Sequence, residues 1–202
     1  MTAHTAADTE PNAAPNDGPI TTPNDGPNDG PNSGPATPRP HTGVELAALV
    51  GLLTTAKPGI ETVAIGHSRD DASRAAAYAF AESWRARGGT VLAEVDWPES
   101  AASWLRPARR LTAQTPDAWV IAAAVPGFAR LARRLRQSTD FDPARTVAFA
   151  SLGDPHLPAL AGPGTLDGLR GATADGGTWD VQDGWLTSPE PNAASRKRSC
   201  PR

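Results

Sequence analysis

Four stretches decide how this chain folds: Thr62-Val-Ala-Ile-Gly66, Thr90-Val-Leu-Ala-Glu-Val95, Ala118-Trp-Val-Ile-Ala-Ala-Ala124 and Thr146-Val-Ala-Phe-Ala150. Three of them are almost continuously apolar. A strand needs that pattern when helices cover both its faces, so the runs predict a parallel sheet. Helix-like segments alternate with them from Val63 to Thr173. The expected fold is α/β, a doubly wound parallel sheet of about four to five strands.

Working outward, Thr42 is placed to cap a first helix reaching about Ala56. Its core stripe reads Val44, Ala48, Leu52 and Thr55, widened by Leu49 and Leu53, and Pro58-Gly59 ends it. Ser68, three residues before Asp71, reads as the cap of a second helix. That helix sets Ala72, Ala76, Ala79, Phe80 and Ser83 on one face and stops at Gly88-Gly89. A third helix is expected from Trp104 to Ala113, with Pro107 in its first turn. Phe128, Leu131, Ala132 and Leu135 then follow the i, i+3, i+4, i+7 rule opposite Arg130, Arg133, Arg134 and Arg136. A short helix over Asp154 to Ala161 and a fifth, edge strand over Gly168 to Thr173 complete the pattern, which dissolves beyond Gly176.

The chain thus divides into residues 1–41, the α/β lobe at 42–175, and an irregular tail at 176–202. Pro-Asn-Asp-Gly begins at Pro15, Pro23 and Pro27 and varies to Pro-Asn-Ser-Gly at Pro31. Turn-favouring, donor-poor sequence with little to bury predicts a disordered tether there, and disorder is expected of the C-terminal tail too.

Net charge is −3 over 202 residues, of which 39% are apolar. Residues 1–40 carry five acids and one arginine, and residues 189–202 one acid and four bases, which leaves −2 between them. That balance gives no reason to expect a nucleic-acid partner. The arginines at 106, 109, 110, 130, 133, 134 and 136 fit the solvated faces of two helices, and Arg196-Lys-Arg198 is a weaker patch of the same kind. Cys200 is the single cysteine, so no internal disulfide forms. No run approaches the roughly 18 to 20 apolar residues that span a bilayer, so no membrane insertion is expected. The start lacks secretory-signal features, which predicts a cytoplasmic protein as written and an extracytoplasmic one if the start lies elsewhere.

Ligands of doubly wound sheets collect beyond the carboxyl ends of the strands. Three loops should occupy that edge: Gly66 to Asp71, Ala124 to Phe128, and Ser151 to Asp154. His67, Ser68, Asp70 and Asp71 put a base, a hydroxyl and two carboxylates in one loop. Neighbours in sequence do not readily build a nucleophilic relay, so hydrogen bonding to a small polar ligand is the better reading than catalysis. His67 and His156 alone are a weak basis for a metal site, with His4 and His41 in or beside the tail. No glycine-rich phosphate loop follows a strand, so a nucleotide enzyme is not expected. Trp84 and Trp119 read as core, Trp97 and Trp104 as flanking a loop, and Trp179 and Trp185 as cover for a sheet edge or a partner surface.

Several short pieces occur in a telling order: Val63-Ala-Ile, Arg69-Asp-Asp-Ala72, Ala79-Phe-Ala81, Ala86-Arg-Gly-Gly-Thr-Val91, Pro116-Asp-Ala118, Leu131 to Leu135, Asp154-Pro-His-Leu157, Leu160-Ala-Gly162 and Gly168-Leu-Arg-Gly171. Over residues 42 to 175 this text resembles the C-terminal lobe of type I periplasmic-binding proteins, especially the branched-chain amino-acid (leucine/isoleucine/valine) substrate-binding proteins of ABC transporters. The resemblance implies a hinged, non-enzymatic receptor for a small solute such as an amino acid, with no cofactor. It also implies ligand contacts from His67, Ser68, Asp70 and Ser73, from Ala124 and Val125, and from Ser151 and Asp154. Where the family often has an aromatic followed by glycine after the paired acids, this chain reads Asp71-Ala-Ser-Arg74. After the third strand it has Ala124-Val125 in place of a polar or aromatic residue. Only the second lobe is matched, as in a truncated or remodelled receptor. An intracellular sensor or interaction module, self-associating or docking a second lobe, is the rival reading. A flavodoxin-like or Rossmann-like enzyme is a further one.

Overall fold

The computed structural model describes residues 38–56 and 59–188. The tetrapeptide repeat, His4, Pro58, Arg196-Lys-Arg198 and Cys200 lie outside the described residues. Helix α1 (Gly43–Thr54) starts at a capping box: Glu45 N–H donates to Thr42 Oγ1 and Thr42 N–H to Glu45 Oε2. Its buried side is Glu45, Leu49, Val50 and Leu53, while Val44 is 56% exposed and Thr55 is exposed. The expected stripe was therefore rotated. The buried Glu45 carboxylate explains this, since it serves both the cap and the Ala150 N–H at 2.6 Å and so turns its own face inward.

Strand β1 (Thr62–Ser68) leads to α2 (Asp71–Ala86). The cap of α2 is Asp70, whose Oδ1 accepts from Ser73 N at 2.8 Å. Ser68 is not the cap: it ends β1, fully buried. The buried face of α2 is Ser73, Ala76, Ala77, Phe80, Ala81 and Trp84, with Ala72, Ala79 and Ser83 at its half-buried margin. Gly88 stops the helix at φ +85°, a conformation that any Cβ would strain.

Then follow β2 (Thr90–Trp97), α3 (Leu105–Thr112), β3 (Ala118–Ala122), α4 (Val125–Ser138), β4 (Thr146–Ala148), α5 (Leu157–Ala161), β5 (Arg170–Ala172), β6 (Thr178–Gln182) and β7 (Trp185–Thr187). The sheet order is β2-β1-β3-β4-β5-β6-β7. The first five strands of that order are parallel, and β6 and β7 are antiparallel additions.

Side chains alternate across the sheet as the strand period requires. Val63, Ile65, Val120, Ala122 and Val147 pack with α1 and α2. Ala64, Trp119, Ile121 and Ala148 pack with α3, α4 and α5. Phe128, Leu131, Ala132 and Leu135 are all buried in that second layer, as their spacing predicts, and the phenylalanine and the two leucines contribute about 1.5–3 kcal/mol each. Trp97 belongs to the core instead of a loop. It is fully buried, and a Cβ on Gly66 would lie 2.8 Å from its ring, so glycine in β1 makes the room.

Three further corrections concern the C-terminal half. β4 is cut to three residues because the chain turns into a 3-10 segment at Ala150–Leu152. The short helix begins at Leu157 instead of Asp154, because Asp154 spends its carboxylate on the His156 N–H. Residues 178–187 are not irregular but form β6 and β7, so β5 is not an edge. Trp179 and Val181 alternate with polar residues and are buried. Asp183 and Gly184 both take positive φ, 50° and 77°, which makes a two-residue type I′ hairpin turn. Trp179 lies across Gly171 and donates Nε1–H to Ala172 O at 3.0 Å.

Candidate functional site

β1 and β3 are neighbours, yet β1 runs into α2 on one face and β3 into α4 on the other. Their carboxyl ends therefore diverge and leave the crevice at which doubly wound sheets take ligands. Ser68 sits at its floor. Its Oγ accepts from Ala124 N–H at 3.0 Å and donates to Glu99 Oε1 at 2.6 Å. The other Glu99 oxygen accepts from Gly127 N–H at 2.7 Å, and Arg130 Nη1 donates to the Glu99 carbonyl at 3.2 Å.

This arrangement follows from how α4 begins. Ala124 occupies its cap position without a side-chain hydrogen bond, so the first N–H groups need acceptors from elsewhere. Glu99, from the loop after β2, supplies a half-buried carboxylate at the positive end of the helix. Gly127 is required for space: a Cβ there would lie 2.7 Å from the Glu99 carboxyl carbon. Ser68 and Gly127 thus hold the carboxylate by donation, and its remaining lone pairs stay available.

His67 is half-buried beside Asp96 of β2 and Ala122 of β3, with Nδ1 2.7 Å from Ser68 O. Asp96 meets Arg69 Nε at 2.5 Å, and that hydrogen bond holds its carboxyl below the ordinary range. At the start of α2, Asp70 Oδ2 and Ser73 Oγ are buried and have no hydrogen-bond partner among the described residues. Such atoms ordinarily find one.

The residues expected from sequence are partly gathered. Ser68 and Ala124 are joined directly, Val125 opens α4 next to them, His67 adjoins Ser68, and Asp70 binds Ser73. Ser151 is half-buried in the 3-10 turn after β4, and Asp154 accepts from His156 N–H and meets its Nδ1 at 2.9 Å. No hydrogen bond joins Ser151 or Asp154 to the Ser68–Glu99 group among the described residues. Glu99 and Gly127 were not foreseen. The usable signal was Ala124-Val125-Pro126-Gly127, a helix start with no capping side chain of its own.

Among the described residues no group of three or more His, Cys, Asp or Glu could hold a metal, and no helix is long and apolar enough to cross a membrane. A cavity of about 290 Å³ lies at the opposite edge, between the amino ends of β3 and β5, lined by Leu53, Ile60, Asp117, Arg145 and Arg170 among others.

The periplasmic binding protein family profile matches residues 1–192. The chain belongs to the periplasmic binding protein family. That is a family of solute-binding proteins, and structures that share this fold include substrate-binding proteins of ABC transporters. Solved structures with the same fold include a substrate-binding periplasmic protein from Ralstonia solanacearum, 19% identical, covering 68% of this chain and 38% of that one at a TM-score of 0.57. A second, from Rhodospirillum rubrum, is provisionally described as a branched-chain amino acid ABC transporter. It is 21% identical over 63% of this chain and 36% of its own, with a TM-score of 0.53. A third is a solute-binding protein of an ABC transporter from Rhodopseudomonas palustris BisB5 in complex with 3,4-dihydroxybenzoic acid, 18% identical over 64% and 36%, with a TM-score of 0.52. The chain spans about a third of the length of these periplasmic binding proteins. No curated protein matches it.

Proposed function

We propose that this chain is a non-enzymatic solute-binding lobe that recognises a small amino-acid-like solute at the Ser68–Ala124–Glu99 crevice. The observation that carries the reading is the Glu99 carboxylate, seated on Ser68 Oγ–H and Gly127 N–H at the divergence of β1 and β3. The donors that would greet a ligand anion are already occupied by Glu99. What the crevice offers is a held carboxylate, which favours a ligand's ammonium group. His67, Asp70 and Ser73 border it with further polar atoms, and Ser151 and Asp154 form a more distant rim. A second lobe, from another chain or another part of the same protein, encloses the solute from the open side, because one wall alone buries too little of a ligand for tight binding.

The test is a thermal-shift series on the full chain with amino acids, their deaminated analogues, and aromatic carboxylates such as 3,4-dihydroxybenzoate. A ligand at 100 times its Kd stabilises by about 2.7 kcal/mol, a rise of about 5–11 °C for a domain of this size. Shifts confined to amino-bearing solutes, and lost in Glu99→Gln, are expected. Equal shifts with the deaminated analogues, unchanged in Glu99→Gln, would refute the assignment.

A further inference from the structure

The outer surface of the α3–α4 layer carries an unbalanced field of cations. Arg106, Arg109 and Arg110 on α3, and Arg130, Arg133, Arg134 and Arg136 on α4, are all exposed. Neither helix contains an acid. The two helices pack side by side over the same face of the sheet. Both return from the carboxyl to the amino edge of the parallel strands, so they run in the same direction. The 106/109/110 spacing recurs as 130/133/134, and i, i+3, i+4 places each triplet on one stripe. The result is two parallel rows of arginines on helices whose axes pack about 8–10 Å apart.

Arg130 and Arg136 donate to the carbonyls of Glu99 and Phe141. Among the described residues the other five form no ion pair, unlike Arg69, Arg74 and Arg85 elsewhere in the lobe. Like charges at i, i+4 weaken a helix. A chain of net charge −3 that gathers seven arginines on one layer therefore carries a local cost that an anionic partner relieves.

The shape of the face selects among anions. It is a broad surface of adjacent helices, with no projecting helix or ribbon to enter a nucleic-acid groove and no exposed aromatic between the arginines to stack on bases. Two apolar residues lie at its borders: Leu160 on α5, beside α4, is 49% exposed, and Trp104, before α3, packs against the core yet is only half-buried. Basic residues flanked by leucine and tryptophan suit the headgroup region of a bilayer. We propose that the α3–α4 face docks this protein on an anionic lipid surface, with the arginines on headgroup phosphates and carboxylates and Leu160 and Trp104 at the interface. This inference is independent of the solute reading and survives its failure.

Co-sedimentation of the full chain with phosphatidylcholine vesicles, with or without phosphatidylserine, tests it. Binding only to the anionic vesicles, and release at high salt, are expected. Each arginine removed should weaken binding about fivefold, so the triple variant Arg109→Gln, Arg133→Gln, Arg134→Gln loses about a hundredfold. The corresponding Arg→Lys triple, which keeps the charge, should bind within a few-fold of wild type and serves if the Gln variant does not fold. Arg74→Gln with Arg85→Gln, on the other layer, should leave binding unchanged. Three results overturn the proposal: no preference for anionic vesicles, loss of binding on neutralising Arg196, Lys197 and Arg198 in place of the helix arginines, or binding to a DNA duplex without binding to vesicles.

Discussion

Replacing Ser68 by alanine deletes one oxygen that two elements share. In the wild type that oxygen receives the Ala124 N–H at the start of α4 and donates to Glu99. Ser68 is fully buried and Ala124 is 6% exposed, so water does not reach the freed N–H. An orphaned buried donor costs about 1–3 kcal/mol, whereas the half-buried Glu99 recovers most of its loss by hydration. The alanine keeps the Cβ, so no cavity larger than a hydroxyl opens and no packing loss is added. The expected destabilisation is about 2 kcal/mol, or a fall in Tm of about 4–8 °C. Urea unfolding followed by tryptophan fluorescence should show a lower midpoint at an unchanged slope, since the surface exposed on unfolding is the same. Ser151→Ala is the control: it removes a half-buried hydroxyl that makes no hydrogen bond among the described residues and should stay within about 0.5 kcal/mol of wild type. If Ser68→Ala also stays within that margin, the serine is not the joint between β1 and α4.

Gly171→Ala should destabilise by about 1–3 kcal/mol or more, because a Cβ there would press into both the Trp179 ring and the Ala148 carbonyl; calorimetry of the variant checks it. Gly184→Ala puts a side chain at φ +77° in the β6–β7 turn and should cost about 1 kcal/mol, with faster amide exchange confined to that hairpin. The Asp117 carboxylate accepts from Thr62 N–H and Oγ1–H and from Glu61 N–H, and these bonds hold its pKa below the ordinary 3.8. A folded pKa below the unfolded one adds stability above the unfolded value that disappears as pH falls through the folded one. Asp117→Asn should therefore be less stable at neutral pH and lose less on acidification below pH 4; parallel acid-unfolding curves would argue against this role.

Much of the lobe was legible because its signals are local. The runs at Val63, Ala118 and Val147 are apolar on both sides of the pleat, which only a doubly covered strand tolerates. β2 alternates more, and it is the edge of the parallel part of the sheet. The α4 stripe was readable because its four residues face a core already filled by β3 and β4. What escaped depends on contacts distant in sequence. The rotation of α1 hangs on a bond from Glu45 to Ala150, 105 residues away. Glu99 lies between Pro98 and Ser100 in a stretch without periodicity, and only the uncapped start of α4 says that an acceptor is needed. The β6–β7 hairpin was a different kind of miss, since Thr178 to Gln182 alternates and Asp183-Gly184 is a strong turn signal.

The borrowed cap on α4 also ties the stability of that helix to another part of the lobe. α1 and α2 carry their own terminators, Thr42 with Glu45 and Asp70, so their first turns can close as soon as a dozen residues are free to coil. α4 also closes its first turn from within, Phe128 N–H on Ala124 O, but the acceptor for its Gly127 N–H is 28 residues upstream, beyond β3 and α3. That part of its cap forms only when the loop after β2 docks, a contact that carries a loop-closure cost the self-capped helices do not bear. Whatever displaces Glu99 therefore also uncaps α4, so the wall of the crevice and the helix behind it share a single joint.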